Sequence, residues 1–231
     1  MQWLKAAIRS GVGRYRCLAV LAAPLLLALP AAAHVLNTDL SKLSRTEIFW
    51  TYLKEGFTHI IPLGFDHLLF IISLYILEPR LKPVLWQATA FTVAHSITLG
   101  LAMYGLINPP SHIIEPIIAL SILFVALENI ITDRLNPWRI AIVFGFGLVH
   151  GMGFASALTG LGLPPRDYLG SLISFNVGVE LGQVTVILLA WALVGRWAAQ
   201  KSWYKQRVVV PVSVAIGLVA AYWTVERVFF T

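Results

Sequence analysis

Five ionisable side chains lie inside sequence that otherwise reads as lipid-soluble. Asp66 and His67 are adjacent in GFDHLLF, His95 falls in FTVAHSITLG, His150 in FGFGLVHGMGFASA and Glu180 in FNVGVELGQ. Imidazole with carboxylate suits nickel, cobalt, zinc or iron, and a set without sulfur does not favour copper(I). A charge at the bilayer centre costs ~2.5–3.5 kcal/mol on insertion scales. Five such residues at one depth therefore imply a shared interior site. Singly, each has a plainer use. His95 could hydrogen-bond a Ser or Thr of a neighbouring helix, and the small residues around His150 suit close helix packing. The set, rather than any member, points to an ion.

Spacing refines the expectation. Neighbours on a helix point about 100° apart, so of Asp66 and His67 one is expected to ligate while the other orients or neutralises. Pro62 and Gly64 just upstream could loosen the helix and relax this limit. Asn176, Glu180 and Gln183 are spaced i, i+4 and i+7 and line one helix face. Such a stripe reads as a pathway wall or as an interhelical hydrogen-bond seam. His59 and Glu115, towards the outer ends of their helices, are candidate entry ligands. Glu128 and Asn129, at the opposite end, are candidates for an exit.

These residues must be positioned by helices in a membrane. Of the 231 residues 58% are hydrophobic and 12% charged, against about 25% charged in soluble domains. Mean hydropathy is +0.78. Six apolar runs, near 57–77, 85–106, 113–131, 139–161, 169–195 and 207–226, are each long enough to cross a bilayer as a helix. They lack the alternation of barrel strands. The expectation is an all-α polytopic bundle of six transmembrane helices over 57–231. The formal charge of +6 is scattered in short loops, which argues against a nucleic-acid partner and for lipid. The single cysteine, Cys17, excludes an internal disulfide and any cysteine-based zinc module.

The beginning of the chain has a different character. Lys5, Arg9, Arg14 and Arg16 precede an apolar run from Cys17 to Leu29 and then Pro30-Ala-Ala-Ala33, the layout of a cleavable signal peptide over 1–33. An uncleaved anchor is the rival. After cleavage, 34–56 becomes a periplasmic segment, with His34 at its terminus. Arg80, Lys82, Arg134, Arg139, Arg196, Lys201, Lys205 and Arg207 fall in alternate loops, which the positive-inside rule assigns to the cytoplasm. Both mature termini are then periplasmic and the membrane is the inner one. Trp86, Trp138 and Trp197 mark the inner boundary, Trp50 and Trp223 the outer. Phe91 to Thr98 and Phe146 to Gly153 share the pattern F-x-x-x-H-small-x-small, a faint parallel repeat that pairs His95 with His150.

GFDHLLF with upstream His59, TAFTVAHSITL, FGLVHGMGFA and FNVGVELGQ together resemble the HupE/UreJ family of bacterial membrane proteins, over about His59 to Leu193. The family's first motif reads roughly H-P-x-x-G-x-D-H. Here it is His59-Ile-Ile-Pro62-Leu-Gly64-Phe-Asp66-His67, with the proline displaced and one residue inserted, as in a divergent branch. Gly64, Asp66 and His67 match directly, and His59 matches across the insertion. The resemblance implies a nickel or cobalt permease, associated with hydrogenase or urease metallation, whose histidine motifs hold the metal. The resulting expectation is a divalent-metal transporter, not an enzyme. Its metal residues are Asp66, His67, His95, His150, Glu180, His59 and Glu115, and its pathway residues Asn176 and Gln183. A membrane metalloenzyme, or a metal-binding sensor without transport, is the alternative. The oligomeric state stays open, a homo-oligomer included.

Overall fold

The structure, a computed structural model, describes residues 44–160 and 167–230, the side chains of 155–160 excepted. The expected signal segment 1–33, His34 and the Leu163-Pro164-Pro165-Arg166 turn lie outside the described residues. The helices are α1 (Arg45–Ile60), α2 (Phe65–Leu77), α3 (Leu81–Met103), α4 (Ser111–Ile131), α5 (Arg139–Gly160), α6 (Tyr168–Ala190) and α7 (Val210–Phe229). Among the described residues there is no strand. α6 runs on through a π-helical turn, Trp191–Gly195, and a π-helical turn over Lys205–Val209 leads into α7.

The expected single helix over 57–77 is corrected to a bent pair. α1 begins at Arg45, inside the segment 34–56 expected to precede the helices. Ser44 caps it: Glu47 N–H donates to Ser44 Oγ at 3.3 Å, and Ser44 N–H donates to Glu47 Oε2 at 2.8 Å. This reciprocal pair starts a helix well before the apolar run does. The helix stops at Ile60 because Pro62 has no N–H to donate. α2 leaves at 66° to α1. Gly64 permits the fold-back, since a Cβ there would overlap the carbonyl of His59.

Four spans, Leu81–Met103, Ser111–Ile131, Tyr168–Ala198 and Lys205–Phe229, are long and apolar enough to cross a membrane, and the α1–α2 pair qualifies as one broken span. The described part of α5, Arg139–Phe154, is apolar but shorter. Outward faces confirm the solvent. Val93, Ile97 and Leu101 form an exposed stripe on α3, and Ile113, Ile117, Leu120, Phe124 and Leu127 another on α4. A water-soluble bundle would place polar residues there. The chain is a multi-pass membrane protein.

Glycines set the closest approaches. A Cβ at Gly147 would strike the Phe91 carbonyl and Ala94, and one at Gly151 the His95 carbonyl and Thr98. Ascending numbers thus pair with ascending numbers, so α3 and α5 run parallel with the two F-x-x-x-H motifs at almost the same height. Gly56 and Gly178 likewise clasp α1 to α6. α4 pairs with α7, where Gly217 faces Ala126 and Leu123 while Arg227 reaches Glu115, an antiparallel contact.

One end of the bundle is closed by Arg139, which is 1% exposed. It was expected to be a loop charge; instead the first residue of α5 turns inward. Its guanidinium donates to Gln87 Oε1 and Asn129 Oδ1, each at 3.1 Å, and pairs with Glu128 at 3.0 Å. Asn129 donates to the Ser73 carbonyl at 2.7 Å. Lys205 adds bonds to the carbonyls of Asn129 and Thr132 and an ion pair with Asp133 at 3.2 Å. Glu128 and Asn129, read as exit residues, belong to this knot.

Candidate metal centre

The fold-back at Pro62–Gly64 carries His59 onto His67. Their rings are 4.7 Å apart, and His67 lies 5.8 Å from His95 and 5.1 Å from His150 between ring centres. α1, α2, α3 and α5 thus each contribute one imidazole to a common chamber. Its other walls are aromatic: Phe154 is 3.8 Å from His59, Phe91 5.0 Å and Phe70 5.5 Å from His150. His95 and His150 are fully buried, His67 nearly so. One ring nitrogen from each of His59, His67 and His95 lies within 4.8 Å of the other two. His150 stands beside this trio, outside it.

Hydrogen bonds assign the protons on two of the rings. Asn176 Nδ2 donates to the Leu172 carbonyl at 2.8 Å, which turns its Oδ1 towards His95 Nδ1 at 3.4 Å. That oxygen can only accept, so Nδ1 carries the proton and Nε2 keeps its lone pair. Ser121 Oγ lies 2.7 Å from the Ile118 carbonyl and 3.0 Å from His150 Nε2. With its hydrogen on that carbonyl it accepts from Nε2, which leaves the lone pair on Nδ1. Those two bare atoms, with Nε2 of His59 and of His67, are buried and without a hydrogen-bond partner. An unmet buried polar atom carries a penalty of ~1–3 kcal/mol. Four in one aromatic chamber form a set of unused nitrogen donors. Outer partners that fix the ring tautomer are the usual companions of metal-binding histidines.

The acids stand elsewhere. Asp66 points away from His67, as two neighbours on a helix must, and pairs with Arg227 at 3.0 Å. Glu115 meets the same guanidinium through its main-chain carbonyl at 3.2 Å. Glu180 lines an open groove of about 380 Å³ between α3 and α6, together with Thr89, Thr92, Ser96 and Asn176 and the apolar Val93, Leu172, Ile173 and Val177. Thr89 donates to Glu180 Oε1 at 2.7 Å, while Oε2 has no hydrogen-bond partner. Asn176 belongs to both places, facing His95 and lining the groove. Gln183, further along the same face, is fully buried with both amide atoms unpaired.

Sequence reasoning missed Ser121, Thr89 and Arg227. Hydroxyls in helices are too common to signal a role. Arg227 lies beyond the last apolar run, and only an unneutralised Asp66 hinted that a cation had to come from somewhere.

No curated protein and no solved structure matches the chain. The family described as HupE / UreJ protein matches residues 36–227, which includes every residue of the chamber, the α3–α6 groove and the Asp66–Arg227 pair. The chain belongs to the HupE / UreJ family.

Proposed function

We propose that this protein is an inner-membrane permease for a divalent transition-metal ion, nickel or cobalt first, zinc or iron next. One observation carries the reading: one ring nitrogen from each of His59, His67 and His95 lies within 4.8 Å of the others, and the Nε2 atoms of these rings make no hydrogen bond. His59, His67 and His95 would hold the ion in transit, with His150 as the adjoining donor. Nitrogen ligands without thiolate favour these metals. Membership of a family associated with nickel and cobalt transport agrees with that choice.

The path from the centre would run between α3, which carries Ser96, Thr92 and Thr89 on successive turns, and α6, which carries Asn176 and Glu180. Glu180 would receive the ion after His95, with Gln183 further along the same face of α6. Glu180 would accept the cation through Oε2, the carboxylate oxygen left without a hydrogen-bond partner. Asp66 and Glu115 mark the side of arrival. With the loop charges cytoplasmic, that side is the periplasm, and the Arg139 knot closes the cytoplasmic end. Six spans follow if α1–α2 and α5 each cross.

Uptake of nickel or cobalt into proteoliposomes decides the matter. The parent protein should move the ion down an imposed gradient, and His67→Ala should abolish movement. Absence of flux from the parent under every gradient would overturn the transport reading. A metal held without flux would point to a resident centre. Glu180→Gln should slow uptake.

A further inference from the structure

Asp66 sits next to an imidazole of the chamber, yet its carboxylate is engaged. Arg227 Nη2 donates to Oδ1 at 3.2 Å and to Oδ2 at 3.0 Å. Nη1 donates to the Glu115 carbonyl at 3.2 Å, and the guanidinium lies 5.3 Å from the Trp223 ring centre. One cation thus ties the start of α2 and the start of α4 to the end of α7. α2 and α4 wall the chamber, since His67 follows Asp66 directly and α4 carries Ser121, the partner of His150.

Its hold is partial. The Arg227 side chain is 18% exposed and that of Asp66 25%, so neither is sealed inside the bundle. Beyond Arg227, Val228, Phe229 and Phe230 are 53%, 74% and 82% exposed, so their side chains face away from the bundle. The guanidinium is a tethered cation standing where an arriving cation would first meet a carboxylate.

We propose that Arg227 is a displaceable gate: it neutralises Asp66 while the chamber is empty and yields the carboxylate to a divalent ion bound for His67. Exchange discriminates by charge. A monovalent ion carries no more charge than the guanidinium and lacks its oriented hydrogen bonds. A divalent ion carries twice the charge and draws the carboxylate into its own coordination sphere. Arg227 is a positioning and selectivity residue in this scheme, and the scheme rests on the transport reading above.

The test is Co(II) titration of the purified full chain, followed by cobalt absorption, with and without excess K⁺. Arg227→Gln should bind Co(II) about three- to tenfold more tightly, the loss of a part-exposed competing ion pair, and K⁺ should now compete. In an Asp66→Asn background the same substitution should change nothing, because there is no carboxylate left to release. Should the Gln variant fail to fold, Arg227→Lys serves, with a smaller gain in the same direction. A folded variant that binds Co(II) no more tightly than the parent overturns the gate, as does an equal gain in the Asp66→Asn background. If the parent binds none of Co(II), Ni(II) or Zn(II), the transport reading falls and the gate with it. Tight binding by the parent with no gain in the variant removes the gate alone.

Discussion

The bundle has an arginine–carboxylate pair towards each end, and the two are built differently. Arg139–Glu128 and Arg227–Asp66 share a contact distance of 3.0 Å. Side-chain exposures are 1% and 15% in the first pair, 18% and 25% in the second. Arg139 also donates from Nε to Gln87 and from Nη2 to Asn129, so that one side chain ties α5 to α3 and α4, and through Asn129 to Ser73 of α2. Arg227 has a single carbonyl and the face of Trp223 besides its acid. Equal distance therefore does not mean equal strength. A buried charge that loses its partner has nowhere to go, whereas a part-exposed one is re-solvated by water. In the proposed scheme the Arg139 end stays closed and the Arg227 end lets go, with the imidazole chamber between them.

The comparison breaks most visibly at Arg139. Arg139→Ala leaves Glu128 uncompensated and should destabilise the fold by ~3–5 kcal/mol, the usual penalty for splitting a buried pair. Thermal unfolding in detergent would show it, and an unshifted midpoint would put the two ends on a par. Next comes the chamber between them. His67→Ala or His95→Ala should lower metal affinity by more than the roughly 10–100-fold typical of losing an outer partner, and Asn176→Ala or Ser121→Ala should fall within that range. Binding isotherms at two pH values serve as control: because each ligand must be unprotonated, affinity should drop as pH falls. Gly151→Val tests the frame that holds both. It forces α3 and α5 apart and should cost ~1–3 kcal/mol through overpacking. The smallest effect sharpens the contrast. Arg227→Gln should change stability by no more than about 1 kcal/mol, although metal affinity moves. A loss as large as that of Arg139→Ala would mean that Arg227 is a structural rivet.

Much of this was legible in the sequence. The apolar runs announced membrane helices because hydrocarbon tolerates only chains that satisfy their own backbone. The motifs around His67, His95 and His150 picked out imidazoles that do meet, because recurring small residues beside them let α3 and α5 approach. The divergence of Asp66 from His67 followed from helical periodicity alone. Pro62 and Gly64 pointed to a weak place, and the helix breaks there.

Other features only the tertiary structure decided. His59 was read as an outer entry residue, yet a 66° bend swings it onto His67. Periodicity cannot see this, because the bend depends on what the carbonyl of His59 packs against. Arg139 was counted as a loop charge since it follows Asn136-Pro137, and only the inward turn of the first residue of α5 makes it a buried clasp. Glu180 was placed with the histidines by depth, but depth does not give azimuth, and α6 turns it into the groove beside Thr89. What the sequence by itself determined was which stretches form apolar helices and how far along each helix a side chain stands, since both follow from local composition and helical rise. Which side chains face one another was decided by the rotation and crossing of the helices. Those depend on glycine contacts and polar clasps between residues far apart in the chain, such as Arg227 and Asp66.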